Sequence, residues 1–177
     1  MNTDTLRPFL PAIVFSLLAT LYGQAIGIGF GLAEDQWKAG LKADGEAVLA
    51  TVYAGDIEKV NAVVARSWTY LKRAHLHAGA LGAAALVLTF LMAFIPGPLL
   101  ARRLIALGNA VGALGYGVFW LMAAHRAPTL GGTDAAKESL GWLAQLTAGL
   151  LVLTTLAALA LVLWAFLRPK AASSELT

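Results

Sequence analysis

Four stretches of this chain, residues 9–31, 74–95, 104–124 and 140–167, contain no Asp, Glu, Lys or Arg. Each meets or exceeds the roughly 20 apolar residues that an α-helix needs to cross the hydrocarbon of a bilayer. A helix bonds its own backbone internally, so in lipid such stretches have almost no alternative. Composition agrees: 59% of the 177 residues are hydrophobic and 13% are charged, where a soluble domain carries about 25% charged. The chain reads as an all-α membrane protein, a four-transmembrane-helix bundle forming a single membrane domain over 1–177. A short helical extramembrane segment, residues 32–73, follows the first helix. There is no cysteine, which excludes disulfides, thiolate metal sites and iron–sulfur clusters. The net charge of +3 sits beside the apolar runs, which suits lipid headgroups and not nucleic acid.

Local signals set the boundaries. Pro8 and Pro11 lie where a helix start tolerates a missing N–H. Residues 9–30 count 22, more than the roughly 7–15 of a signal-peptide core, so the first run reads as a retained helix. Gly23, Gly27 and Gly31 recur every fourth residue, and Gly108 and Gly112 repeat the spacing in the third run. That pattern predicts smooth faces against which neighbouring helices approach closely. Gln24 is the strongly polar side chain deep in the first run, suited to bonding a neighbouring helix or a ligand. In residues 32–73, six basic and six acidic residues nearly cancel. Asp44-Gly45 and Gly55-Asp56 look like turn or cap chemistry, and Asp56 is a plausible N-cap. Ile57, Val60, Val64, Trp68 and Leu71 share one helical stripe. Nothing breaks the pattern from Asp56 to Ile95, which predicts one long helix projecting about 25 Å beyond the bilayer.

Pro96-Gly97-Pro98 ends that helix, and Arg102 and Arg103 follow. Thr133 or Asp134 is placed to cap the segment before the fourth run. Arg168, Pro169 and Lys170 stop the last helix. Arg7, Arg102, Arg103, Arg168 and Lys170 mark the inner ends, which puts both termini in the cytoplasm, at a bacterial inner membrane. Lys72 and Arg73, at an outer helix end, run against that assignment.

No acidic or basic side chain lies in any run, which disfavours a proton pump or ion pathway. What remains is histidine. His75 and His77 open the second run and His125 closes the third. The second run enters the membrane from the side on which the third leaves it, so all three histidines share one end of the bundle. His75 and His77 are two residues apart, about 200° around a helix, and cannot grip one metal from the same side. One of them facing His125 would give the two axial imidazoles of a b-type haem. Gly79 and Gly82 follow His75 on its own face and leave room for a flat ring. Arg73, Lys72 and Arg126 are near enough for propionates, and Met122, one turn before His125, is a lesser ligand candidate. The alternatives are interfacial histidines without a ligand, or another metal or quinone site. Trp37, Trp68, Trp120 and Trp142 fall near the same face, as an interfacial aromatic belt or, less simply, as stacking partners for a quinone.

His75-Leu76-His77-Ala78-Gly79-Ala80-Leu81-Gly82 resembles the H-x-H helix of nitric oxide reductases and C-type haem–copper oxidases. The resemblance covers about eight residues of 177. It implies a haem-binding helix in which His77 matches the low-spin ligand and His75 the high-spin one. That family's catalytic subunit has about three times as many spans, and its copper histidines have no counterpart here, so no binuclear centre is implied.

The expected function is therefore a subunit holding haem b for electron transfer in a respiratory complex. Cofactor contacts would come from His75, His77, His125, Arg73, Arg126, Gly79 and Gly82, and metal ligands from the three histidines. Expected partners are the lipid bilayer, other membrane subunits or a second copy, and a quinone. The alternative is a cofactor-free structural or assembly subunit that docks partner helices on its glycine faces. No side-chain constellation for bond chemistry is present in either case.

Overall fold

The computed structural model describes residues 3–168; Pro169 and Lys170 lie outside them. A short α1 (Thr3–Leu6) and a 3-10 turn (Arg7–Phe9) lead into α2 (Leu10–Ala47). A single turn, α3 (Leu49–Val52), precedes α4 (Ile57–Phe94), α5 (Leu99–Arg126), a short α6 (Thr133–Ser139) and α7 (Gly141–Leu167). Four helices are long and apolar enough to cross a membrane. α2, α4 and α5 pack mutually, and α7 packs chiefly on α5.

Lipid offers no hydrophobic drive between helices, so close contact must hold them. The interior is accordingly built from small residues. Ala19, Ala74, Ala78, Ala85, Ala106, Ala110, Ala113, Ala123 and Ala124 are fully buried. A Cβ placed on Gly23 would lie 2.5 Å from the backbone nitrogen of Gly79. One on Gly117 would lie 2.7 Å from Ala78 Cβ. Four of the five glycines in the expected strips meet another helix: Gly23 and Gly27 meet α4, while Gly108 and Gly112 meet α7 at Thr154, Leu151 and Thr147. The third glycine of the first strip, Gly31, faces open space. Asn109, which sequence reasoning did not single out, clamps α5 to α7. Its Nδ2 donates to Thr154 Oγ1 at 3.0 Å and Thr155 Oγ1 at 3.2 Å.

The α4–α5 turn is locked from within. Arg102 Nη1 donates to the carbonyls of Met92, Ala93 and Ile95 at 3.2, 3.3 and 2.9 Å. These are among the carbonyls that a helix C-terminus leaves without partners. Gly97, at φ 148°, holds a conformation open to glycine.

Outside the apolar runs, α2 continues past Gly31 with one non-helical residue, Ala33 (φ −143°, ψ 23°). The Asp44-Gly45 turn expected from sequence is instead helix. Gly45 is small because Val60 of α4 lies against it, 2.7 Å from where its Cβ would be. The turn falls at Ala54-Gly55, both with positive φ. Asp56 caps α4 as expected, accepting from the backbone N–H groups of Glu58 and Lys59 at 3.1 Å. Those bonds hold its carboxyl below the usual carboxylate range, Lys59 contributing first. The buried stripe of outer α4 is Val60, Val63, Ser67, Tyr70 and Leu71. It is rotated from the expected one, with Ile57 exposed and Val64 and Trp68 half-buried. Tyr53, also buried, donates to the Pro128 carbonyl at 2.6 Å and so ties the α3–α4 turn to the loop after α5. The N-cap of α6 is Gly132; neither Thr133 nor Asp134 supplies a side-chain cap.

Candidate functional site: the histidine end of the bundle

The antiparallel run of α4 and α5 brings His75, His77 and His125 to one end of the bundle, as the order of the runs requires. Their azimuths differ. His75 turns toward α2. Its Nδ1 lies 2.8 Å from the carbonyl of Gly23. A carbonyl only accepts, so Nδ1 carries the proton of this bond. The ring lies edge-on to Phe30 at 5.6 Å between centroids, and it fills the space over Gly27, where a Cβ would be 2.6 Å from Cε1.

His77, two residues on, faces α5. It is tilted against Tyr116 at 5.3 Å and meets Trp120 at 5.9 Å. Arg73, one turn earlier, lays its guanidinium over the rings of Trp120 and Tyr70 at 4.9 and 5.2 Å. Trp120 is 8% exposed, and among the described residues its buried Nε1 has no hydrogen-bond partner, nor has the buried Tyr22 hydroxyl.

His125 is exposed on the last turn of α5. It is nine residues from Tyr116 and five from Trp120, about 180° and 140° around the helix at 3.6 residues per turn. The α5 face that His77 meets is therefore not the face that carries His125. Arg126 donates to Ser139 Oγ at 3.2 Å, on α6, and is exposed. The common end foreseen from the sequence is present, but the three imidazoles diverge.

Of the two glycines argued to leave room for a macrocycle, one is taken up by helix packing. Gly82 is filled by α2, with Thr20 N 2.7 Å from where its Cβ would be. The backbone of Gly79 lies against Gly23, but the space where its own Cβ would stand is open. A flat ring over Gly82 would have to part α2 from α4. The tryptophans do not form a uniform belt either. Trp37 and Trp68 pack edge-on to Phe30, Trp120 is buried, and Trp142 is 65% exposed. Among the described residues, no group of three or more His, Cys, Asp or Glu comes together that could hold a metal ion. A comparison with known protein families, curated proteins and solved structures finds no match for this chain.

Proposed function

We propose that this chain is a cofactor-free structural or assembly subunit of a membrane complex, with both ends on the cytoplasmic side of a bacterial inner membrane. The observation that carries the reading is α7. Only 6% of its most apolar stretch is buried, against 50% for that of α5. One face is clamped to α5 by Asn109, Gly108 and Gly112; the rest, including Leu146, Leu153 and Phe166, is free to meet helices of other subunits. The histidines fit the same reading, because His75 spends its ring on the α2–α4 contact and His77 on the aromatic packing of α5.

In mild detergent the protein should migrate well above its 18.5 kDa chain mass. Leu146→Trp with Leu153→Trp, one face of α7, should release the chain from its partners while its helicity stays unchanged. Unchanged migration of that variant would sink the reading. A haem-binding subunit is the second reading, favoured by one observation. A metal-bound histidine usually donates its other ring N–H to a carbonyl or carboxylate, as His75 does to Gly23. A visible spectrum separates the two: a reduced-minus-oxidised haem band abolished by His75→Ala would replace the first reading with the second.

A further inference from the structure

We propose that the outer valley between α2 and α4 is a binding site for one anionic phospholipid. Its upper part is a cleft of about 470 Å³ lined by Lys38, Lys42 and Lys72, with Trp68 and Val64 among its apolar walls. No Asp or Glu lines it. Lys38 lies over the Trp68 ring at 4.9 Å. Glu34 and Glu46 pair with Lys38 and Lys42 along α2, but these pairs are exposed, and exposed pairs are weak enough for a phosphate to displace.

Register places the lower, Lys72 end of the cleft at the membrane surface. Gly23 lies against Gly79, and Gly27 against His75, so residues of α2 and α4 whose numbers sum to about 102 are level. Lys72 is then level with Phe30, where the apolar run of α2 ends. Below it Gln24 and Ile28 of α2 and Leu76, Ala80 and Ala83 of α4 are all exposed.

Gln24 is the second, independent observation. It is exposed, and among the described residues it has no hydrogen-bond partner. An amide in hydrocarbon without a partner is unfavourable. Gln24 lies six residues below the level of Lys72, about 9 Å at 1.5 Å per residue. That depth suits the ester carbonyls of a phospholipid whose phosphate sits at Lys72, with Lys38 and Lys42 adding positive charge above it, and the amide N–H donates to such a carbonyl. The three lysines select an anionic headgroup over a zwitterionic one, and the apolar valley selects a lipid over a free anion. This site is independent of how α7 meets other subunits.

The test uses the full-length protein in detergent, with retained lipid read by native mass spectrometry after adding phosphatidylglycerol and phosphatidylcholine in equal amounts. Wild type should retain phosphatidylglycerol preferentially. Lys38→Gln/Lys42→Gln/Lys72→Gln should lose that preference, by about fivefold in affinity per lysine. The control Lys59→Gln/Lys137→Gln, outside the cleft, should keep it. Gln24→Leu should weaken both lipids and leave their ratio unchanged. Equal retention by wild type, or an unchanged preference in the triple variant, overturns the site. Displacement of the lipid by millimolar inorganic phosphate shows a free-anion site and overturns it too. If Gln24→Leu turns a dimer into a monomer with lipid retention unaltered, Gln24 belongs to a protein interface and the ester contact is refuted.

Discussion

Gly27→Ala adds one methyl group to a membrane helix, a change that normally stabilises. In an exposed helical position, alanine is favoured over glycine by about 1 kcal/mol. Gly40, helical with nothing near its Cβ position, should show that gain. At Gly27 the new Cβ would lie 2.6 Å from Cε1 and 3.0 Å from Nδ1 of His75, where carbon–carbon contact is best at roughly 3.5–4.0 Å. The ring must move by about 1 Å or α2 must back away, and either stretches the 2.8 Å bond from Nδ1 to the Gly23 carbonyl. Overpacking of this kind costs about 1–3 kcal/mol, and an interhelical hydrogen bond in a membrane protein averages about 0.6 kcal/mol. Set against the helical gain, the net loss is about 1–2 kcal/mol. His75→Ala alone forfeits the bond and the ring's packing. In the double variant the alanine at 27 finds the space the ring vacated, so the two losses should fall short of their sum by about 1–2 kcal/mol, well inside the range of contact couplings. Reversible unfolding in mixed micelles, followed by helical circular dichroism with Gly40→Ala as the control, measures the cycle. Additivity within about 0.5 kcal/mol would refute the claim that His75 fills the space over Gly27.

Arg102→Met keeps the length but removes the donor to three helix-end carbonyls; it should destabilise the α4–α5 hairpin by about 1.5–3 kcal/mol in the same assay, the range for charged hydrogen bonds. Gly112→Leu should detach α7, because the space at Gly112 is already taken by Leu151 and the Thr147 carbonyl. Asn109→Ala should cost only about 0.6–1.7 kcal/mol, since Thr154 keeps its own bond to the Leu150 carbonyl; crosslinking between cysteines introduced on α5 and α7 compares the two. The extramembrane cap predicts pH limbs of opposite sign. The carboxyl of Asp56 is lowered on folding, so its contribution is present above the unfolded value near 4 and lost as pH falls through the folded one; Asp56→Ala should flatten the acid limb of stability. Burial raises the Tyr53 phenol, so its contribution is present below about 10 and lost as pH climbs past the folded value; Tyr53→Phe should flatten the alkaline limb. Reporter fusions after Thr177 and within residues 40–56 should report opposite compartments, and agreement between them would refute a retained first span.

The spans were legible because a run without charge leaves lipid-crossing helix as almost the sole outcome, and their order placed the histidines at one end. Which way each helix faces was only partly legible. In a soluble helix the hydrophobic stripe points at the core, but residues 140–167 are apolar all round and carry no such stripe. Small residues took over that role, and Gly23, Gly27, Gly108 and Gly112 pointed where the structure has them. The same signal was ambiguous at Gly82, because a missing side chain makes room equally for a macrocycle or for another helix, and there α2 takes the space, whereas the space beside Gly79 is open. The azimuth of His125 was within reach. Gly112, read as a packing residue, is thirteen positions away, about 220° around α5, so His125 had to leave the face that meets α7.

Arg102 shows why charge counting alone could not orient the chain. The double arginine after Pro96-Gly97-Pro98 was counted twice as a mark of the inner face. Its first member is held by the carbonyls of Met92, Ala93 and Ile95, a local demand of an abruptly ended helix that holds on either side of a membrane. A guanidinium bonded to a helix C-terminus neutralises part of that helix's dipole and is less available to interact with headgroups. Arg103, with no such bond among the described residues, is exposed. The same reasoning bears on Lys72 and Arg73, the charges that ran against the assignment. Arg73 is laid over Trp120 and Tyr70, where its position follows from aromatic packing. Lys72, by contrast, lines the lysine-walled cleft between α2 and α4. Once each charge is sorted by what holds it, two arginines have packing reasons independent of topology, one on each side of the count.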